Sequence, residues 1–259
     1  MPNLVLAGER IFYALHENGA RGRVPLLLLH GAGENHLVWP AALRRMPGIR
    51  AYAIDLPGHG RSGGQGRGSV AEYAAFVRQL LDALKIARAV MAGHSMGGAI
   101  AQQLGLSDPA RCAALILIGT GARLRVAPQI LEFAKSDLPA AADLISQFQW
   151  GPDTPEQMIR LGRRQLLANR PEVLYGDYVA CNAFDVMERV GEIRVPTLVI
   201  GGSADQMTPP KYAAFLAERI PGARLALVEN AGHMVMLERE IEVARPVEQF
   251  LREQGLLGL

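Results

Sequence analysis

Cysteine is nearly absent: the 259 residues contain two, Cys112 and Cys181. Both sit among apolar neighbours, and neither has the spacing of a metal knuckle. A disulfide framework and a cysteine-held metal are thereby excluded, and both thiols are expected to be free core residues of a reducing, cytoplasmic compartment. Charge of one sign is missing as well. The net charge is +2 and no run of Lys or Arg gathers into the basic stripe that nucleic-acid binding requires. Nowhere do about 18 apolar residues run together, so no membrane span is expected. The opening Met1–Val5 has no cationic stretch leading into a long apolar run, and it does not read as a signal peptide. What remains is an ordinary globular composition, 49% hydrophobic and 20% charged, long enough to bury a full core without staples.

The order of patterns along the chain predicts the architecture. Leu4–Leu6 and Ile11–Leu15 read as two short strands about a turn at Gly8. Pro25–Leu29 is an unbroken apolar run, the mark of a strand buried on both faces. Ala51–Ile54 is a third run, ending at Asp55-Leu56-Pro57-Gly58. Ser69–Lys85 has helical spacing, with Val70, Tyr73, Val77, Leu80 and Leu84 on one stripe and Ser69 and Glu72 placed as a capping box. A strand at Ala89–Ala92, a helix from Ala99, and a strand at Ala113–Ile118 follow. Such alternation predicts an α/β protein with a mostly parallel, doubly wound sheet and helices on both faces. From about Gly121 to Val190 the alternation stops, and a helix-like, proline-punctuated segment intervenes. It resumes with a strand at Thr197–Ile200, a helix near Pro210–Ile220, a strand at Arg224–Val228 and a last helix at Ile241–Gln254. Residues 1–120 and 191–259 are therefore read as one core domain, and 121–190 as a helical insertion on top of it.

Gly93-His94-Ser95-Met96-Gly97 carries the chemistry. A strand before it and a helix after it make G-x-S-x-G a sharp turn that exposes Ser95 at its tip, with small residues where strand and helix crowd together. The helix N-terminus then faces the serine and favours developing negative charge. A serine hydroxyl needs a base, and the base an orienting acid. Of six histidines, His233 follows the last strand at the same sheet edge as the turn, while His94 is expected to point away from its neighbour Ser95. The acid should lie between them in chain order, and Asp205 follows the strand Thr197–Ile200. Acyl transfer also requires oxyanion donors. The backbone N–H of Met96 is one, and that of Ala32, in His30-Gly31-Ala32-Gly33, is the second.

Together these segments resemble the α/β-hydrolase superfamily from end to end. His30–Gly33 resembles its oxyanion loop, Asp55–Ser62 its D-x-P-G-x-G-x-S turn, Gly93–Gly97 its nucleophile elbow, Asp205 its acid and Gly232-His233 its base loop. The insertion resembles the family's helical cap. The Asp55–Ser62 turn is read as shaping the rim, with Asp55 bonded locally. Serine at the elbow argues against the dehalogenase and epoxide-hydrolase branches, which carry aspartate there. His94, where carbon–carbon hydrolases often have asparagine, argues against that branch too.

The expected function is hydrolysis of a carboxylic ester or related acyl bond, a lactone or thioester, in a small-molecule substrate, with no metal and no cofactor. Cofactor-free perhydrolysis, carbon–carbon cleavage beside a ketone, and slow-turnover ligand sensing stay open on the same triad. His30, Phe148, Trp150, Phe184 and Met187 are the candidates for substrate contact. The Arg160, Arg163 and Arg164 cluster reads as a solvated helix face.

Overall fold

The computed structural model describes residues 3–19 and 24–257; Met1 and Pro2 of the N-terminal stretch lie outside the described residues. Strands β1 (Asn3–Leu6) and β2 (Glu9–Glu17) form a hairpin across Ala7-Gly8, both in the left-handed region with φ of 50° and 82°. They lead into β3 (Leu26–Leu29), the short helix α1 (Ala41–Arg44), β4 (Arg50–Ile54), β5 (Ala89–His94), β6 (Cys112–Ile118), β7 (Thr197–Gly202) and β8 (Arg224–Val228). The eight strands make one sheet in the order β1-β2-β4-β3-β5-β6-β7-β8. The pairs β1–β2 and β2–β4 are antiparallel and the rest parallel. β2 is longer than the apolar pattern foretells: polar His16 and Glu17 stay in it because their backbones still pair with Ala51 and Arg50 of β4.

The unbroken apolar runs lie at the centre of the sheet, and every residue of β3, β5 and β6 is buried. Their side chains alternate between two cores, as the two-residue period of a strand demands. On one face Leu27, Leu29, Met91 and Leu115 meet Tyr73, Val77 and Leu80 of α2 (Val70–Ala83) and Ile100 and Leu104 of α3 (Met96–Ser107). Across the sheet Leu26, Leu28, Val90 and Ile116 meet Trp39, together with Val243, Val247 and Phe250 near the C-terminus. α2 starts where the capping pattern says, with the Glu72 N–H donating to Ser69 Oγ at 3.2 Å.

Between β6 and β7 the chain makes four helices: α4 (Pro128–Ser136), α5 (Leu138–Phe148), α6 (Glu156–Leu167) and α7 (Pro171–Ala183). Prolines begin them rather than break them: Pro128 and Pro171 are first residues, where no backbone donor is missed. The four helices share an apolar cluster of their own, including Ile130, Ala142, Ile145, Leu174 and Tyr178. The ends of the excursion are pinned by a bridge at Arg123 and Asp185, with the Val186 N–H donating to the Ala122 carbonyl at 2.8 Å. Arg160 and Arg163 pair with Glu156 and Asp143 on the surface. The chain then closes with α8 (Pro210–Arg219), the short α9 (Val235–Glu238) and α10 (Glu240–Glu253). Cys112 and Cys181 are free and buried. No helix among the described residues is long and apolar enough to cross a membrane.

Candidate active site

The turn from β5 into α3 is forced. Ser95 sits at φ 51°, ψ −115°, a left-handed position that costs a side-chain-bearing residue about 1–3 kcal/mol. Its N–H donates to the Ile118 carbonyl of β6 at 3.0 Å. Its carbonyl accepts from Gly98 N–H at 2.9 Å and from Thr120 Oγ1 at 2.8 Å. The strand–helix crossing is so close that a Cβ on Gly93 would overlap the backbone of Gly97, and one on Gly97 the backbone of Leu29.

His233 and Asp205 approach from loops after β8 and β7. His233 Nδ1 lies 2.9 Å from Asp205 Oδ2, both side chains buried. The same carboxylate accepts Thr208 Oγ1 on Oδ2 at 2.7 Å, and the N–H groups of Met207 and Thr208 on Oδ1, each at 2.8 Å. Burial works to raise the Asp205 carboxyl, but the adjacent His233 charge and these donors outweigh it and hold it below the usual carboxylate range. Burial likewise opposes charge on His233, yet Asp205, and with it Glu34 and Glu238, raise the imidazole above its ordinary value. Because Nδ1 donates to the carboxylate, Nε2 is the basic nitrogen, and it makes no hydrogen bond to protein among the described residues. The His233 N–H is itself tied at 3.0 Å to the Gln149 carbonyl, just past α5.

Ser95, His233, Thr208 and Ala32 line one chamber of about 60 Å³, whose remaining wall is mostly apolar and includes Ile145, Leu166, Tyr178 and Met207. A larger outer chamber of about 330 Å³ shares Arg125, Val126, Tyr178 and Met207 with it. On the loop after β3, the Gly31 N–H donates to Glu34 Oε2 at 2.6 Å and the Gly33 N–H to Asp177 Oδ2 at 2.9 Å. The Ala32 N–H between them, like the Met96 N–H at the start of α3, meets no protein acceptor among the described residues.

Most residues expected to touch substrate stand elsewhere. His30 is wholly buried beneath the loop: its Nε2 accepts the Leu56 N–H at 3.0 Å and its Nδ1 donates to the Gly31 carbonyl at 2.8 Å. Burial, helped by neighbouring His59, pulls it down to about 4, so it is a neutral strut and not a substrate contact. Phe184 packs into the core under the sheet, because the bridge at Asp185 draws it inward. Met187 lines a separate surface pocket with Tyr212 and Phe215. Trp150 packs against Gly162 of α6 and lines a groove beside Leu37. Phe148 does reach the outer chamber. Neither ring nitrogen of His94 bonds Ser95: Nδ1 meets Glu34 and Nε2 the His233 carbonyl, with the ring 4.8 Å from that of His233. Asp55 accepts the Arg61 N–H of its own turn at 2.8 Å, and its other oxygen reaches beyond the turn to the His36 N–H at 2.7 Å and Nδ1 at 2.8 Å.

Sequence reasoning missed three groups: Glu34, Thr208 and Asp177. Thr208 lies three residues after Asp205, a spacing that allows a side-chain bond across a turn. Asp177 is a wholly buried carboxylate on an otherwise apolar helix face, accepting from Tyr73 Oη at 2.6 Å and bonded to His59 Nε2 at 2.7 Å. An aspartate among the apolar residues of α7 was the only available signal.

The fold and this chamber define a hydrolase. The profile of the alpha/beta hydrolase family matches residues 26–245, and the chain belongs to that family. A solved thermophilic esterase is 37% identical, with a TM-score of 0.86 over 98% of both chains. The enol-lactonase from Burkholderia xenovorans is 27% identical, with a TM-score of 0.89 over 97% of this chain and 100% of its own. The 2-hydroxy-6-oxo-6-phenylhexa-2,4-dienoate hydrolase of Comamonas testosteroni is 29% identical over 93% of this chain and 92% of its own.

Proposed function

We propose that the protein is a serine hydrolase that cleaves a carboxylic ester, or a related lactone or thioester, through an acyl-enzyme on Ser95. The observation that carries this reading is the state of His233. Its Nδ1 is committed to a buried carboxylate, while its Nε2 stays unbonded on the chamber that Ser95 enters from a strained turn. In the reaction, Nε2 takes the Ser95 hydroxyl proton as Oγ attacks the substrate carbonyl. The N–H groups of Ala32 and Met96 hold the oxyanion, at the positive end of α3. His233 returns the proton to the departing alkoxide. It then takes a proton from water, whose oxygen attacks the acyl carbon, and restores it to Ser95. Asp205 keeps the tautomer and stabilises the imidazolium. Residues 121–190 act as the cap on a core of 1–120 and 191–259, supplying Ile145, Leu166 and Tyr178 to the inner wall. The outer chamber, reached past Val126 and Phe148, receives the acyl chain.

A second reading, carbon–carbon cleavage beside a ketone on the same residues, rests on the likeness to the Comamonas testosteroni hydrolase. One experiment addresses both. The protein is offered p-nitrophenyl esters of graded acyl length and a 2-hydroxy-6-oxo dienoate, and is treated in parallel with a fluorophosphonate followed by mass spectrometry. Labelling confined to Ser95, with ester turnover peaking at one chain length, is expected. Preferred turnover of the dienoate selects the second reading. Ester hydrolysis that survives in Ser95→Ala, which should lose on the order of 10⁴-fold or more, sinks the assignment.

A further inference from the structure

A histidine–carboxylate pair that the reaction above does not use stands at the chamber of Ser95, with Glu34 on its wall and His94 wholly buried. His94 Nδ1 stands 3.0 Å from Glu34 Oε2, and His94 Nε2 stands 3.0 Å from the backbone carbonyl of His233. A carbonyl oxygen only accepts, so Nε2 carries a proton. Both side chains are buried, at 0% and 7% exposure, and each serves as the other's solvation. Glu34 Oε2 also accepts the Gly31 N–H at 2.6 Å, which fixes the peptide just before the Ala32 N–H. A Cβ on Gly31 would stand 2.9 Å from Glu34 Oε2 and 3.1 Å from Ser95 Cβ, so this carboxylate and the nucleophile flank the same glycine. One carboxylate oxygen and one imidazole thus tie together the oxyanion loop, the elbow and the base loop, segments more than a hundred residues apart in sequence at their extremes.

We propose that Glu34 and His94 are positioning residues, a second buried carboxylate–imidazole pair that clamps the loop of Ala32 to the carbonyl of His233 and so sets the base in line with Ser95. The inference rests on the reading of Ser95 as nucleophile. Besides clamping, Glu34 places a negative charge near His233. The groups facing His233 are Asp205, Glu34, Glu238 and the ring of His94; those facing Glu34 are His94, His30, Tyr178 and the Gly31 N–H. Burial opposes the Glu34 charge, but His94 and the Gly31 donor hold its carboxyl below the ordinary range. Glu34 therefore stays ionised while His233 titrates, and it favours the protonated base.

A pair that only held the fold together would alter stability and leave the pH profile alone, which separates the two roles. The test follows the rate of fluorophosphonate labelling at Ser95, and kcat and KM on a p-nitrophenyl ester, against pH in wild type, Glu34→Ala and Glu34→Gln. Thermal melts report whether each variant folds. In Glu34→Ala the labelling rate and kcat should drop on the order of 10–100-fold with KM little changed, because misplacing a reacting group by about 1 Å costs that much. Glu34→Gln keeps the shape of the side chain and can still accept the Gly31 N–H through its amide oxygen, so part of the lost rate should return. Its acid limb should move to lower pH, since the charge that favoured imidazolium is gone. Wild-type rates in a folded Glu34→Ala overturn the proposal, as does a Glu34→Gln limb that stays in place. Should Glu34→Ala fail to fold, the Glu34→Gln limb alone decides. Absence of labelling in the wild type would instead overturn Ser95 as nucleophile, and the pair with it.

Discussion

His233–Asp205 and His59–Asp177 are built from the same two residue types. Each is buried, and each is closed by a short contact, 2.9 Å in the first and 2.7 Å in the second. They differ in the far nitrogen of the ring. His59 has both occupied, Nδ1 by the Pro57 carbonyl at 3.0 Å and Nε2 by Asp177. His233 has only Nδ1 committed, and Nε2 is left to the chamber of Ser95. The carboxylates differ in the same way. Asp177 sits on α7 and spends itself on Tyr73, His59 and the Gly33 N–H, joining the inserted helices to the α2 side and to the loop after β3. Asp205 is held by its own loop through Met207 and Thr208 and serves one ring. A histidine with both nitrogens satisfied is a rivet; one with a nitrogen left unsatisfied beside a nucleophile can exchange a proton.

The sharpest way to break this contrast is to exchange the consequences of losing each carboxylate. Asp205→Asn should lower kcat on the order of 10⁴-fold, because the amide favours the wrong His233 tautomer. Its melting temperature should change little, and steady-state kinetics with calorimetry would show both. Asp177→Ala should do the reverse in emphasis. It strands a raised, buried His59 and frees Tyr73 and Gly33, for a loss of about 3–5 kcal/mol in denaturant unfolding. Equal stability losses in the two variants would dissolve the distinction. A gentler probe is pH. Burial opposes charge on both histidines, but Asp177 outweighs it at His59, as Asp205 does at His233, and both stand above the ordinary imidazole value. A raised pKa stabilises the fold fully below the unfolded value, and that stability is lost as pH rises through the folded one. Activity follows the opposite sign, since only neutral His233 accepts a proton. In wild type kcat/KM should therefore climb with pH above the usual imidazole midpoint, while unfolding free energy falls over the same window. In Asp177→Asn the stability slope should flatten and the activity limb stay where it was. A limb that moved with Asp177 would show that the two pairs are coupled.

Much of this was legible in the sequence. Short unbroken apolar runs between turn signals fit strands buried on both faces, which places β3, β5 and β6 in the middle of a parallel sheet from the sequence alone. Gly93 and Gly97 declared a tight turn, and chain order pointed to Asp205 and His233; the structure puts His233 with Ser95 at one chamber and Asp205 behind it, 2.9 Å from His233 Nδ1. The substrate wall was much less legible. Phe184 and Met187 look like pocket residues because they are apolar and lie in the insertion. Around the bridge between Arg123 and Asp185, one enters the core and the other lines a separate surface pocket. His30 looks like a contact because it adjoins the glycine loop after β3, yet Leu56 and Gly31 consume both of its nitrogens.

By itself the sequence determined the elements and their kind, because hydrophobic period, caps and glycine-dependent turns are local properties that act over a few residues. Which polar side chains meet was decided only by the tertiary structure. Glu34 finds His94 across 60 positions and Asp177 finds His59 across 118, and no periodicity encodes such distances. The physical reason is that a buried charge must be compensated wherever the packing of sheet and helices carries it, and that packing is a property of the whole chain.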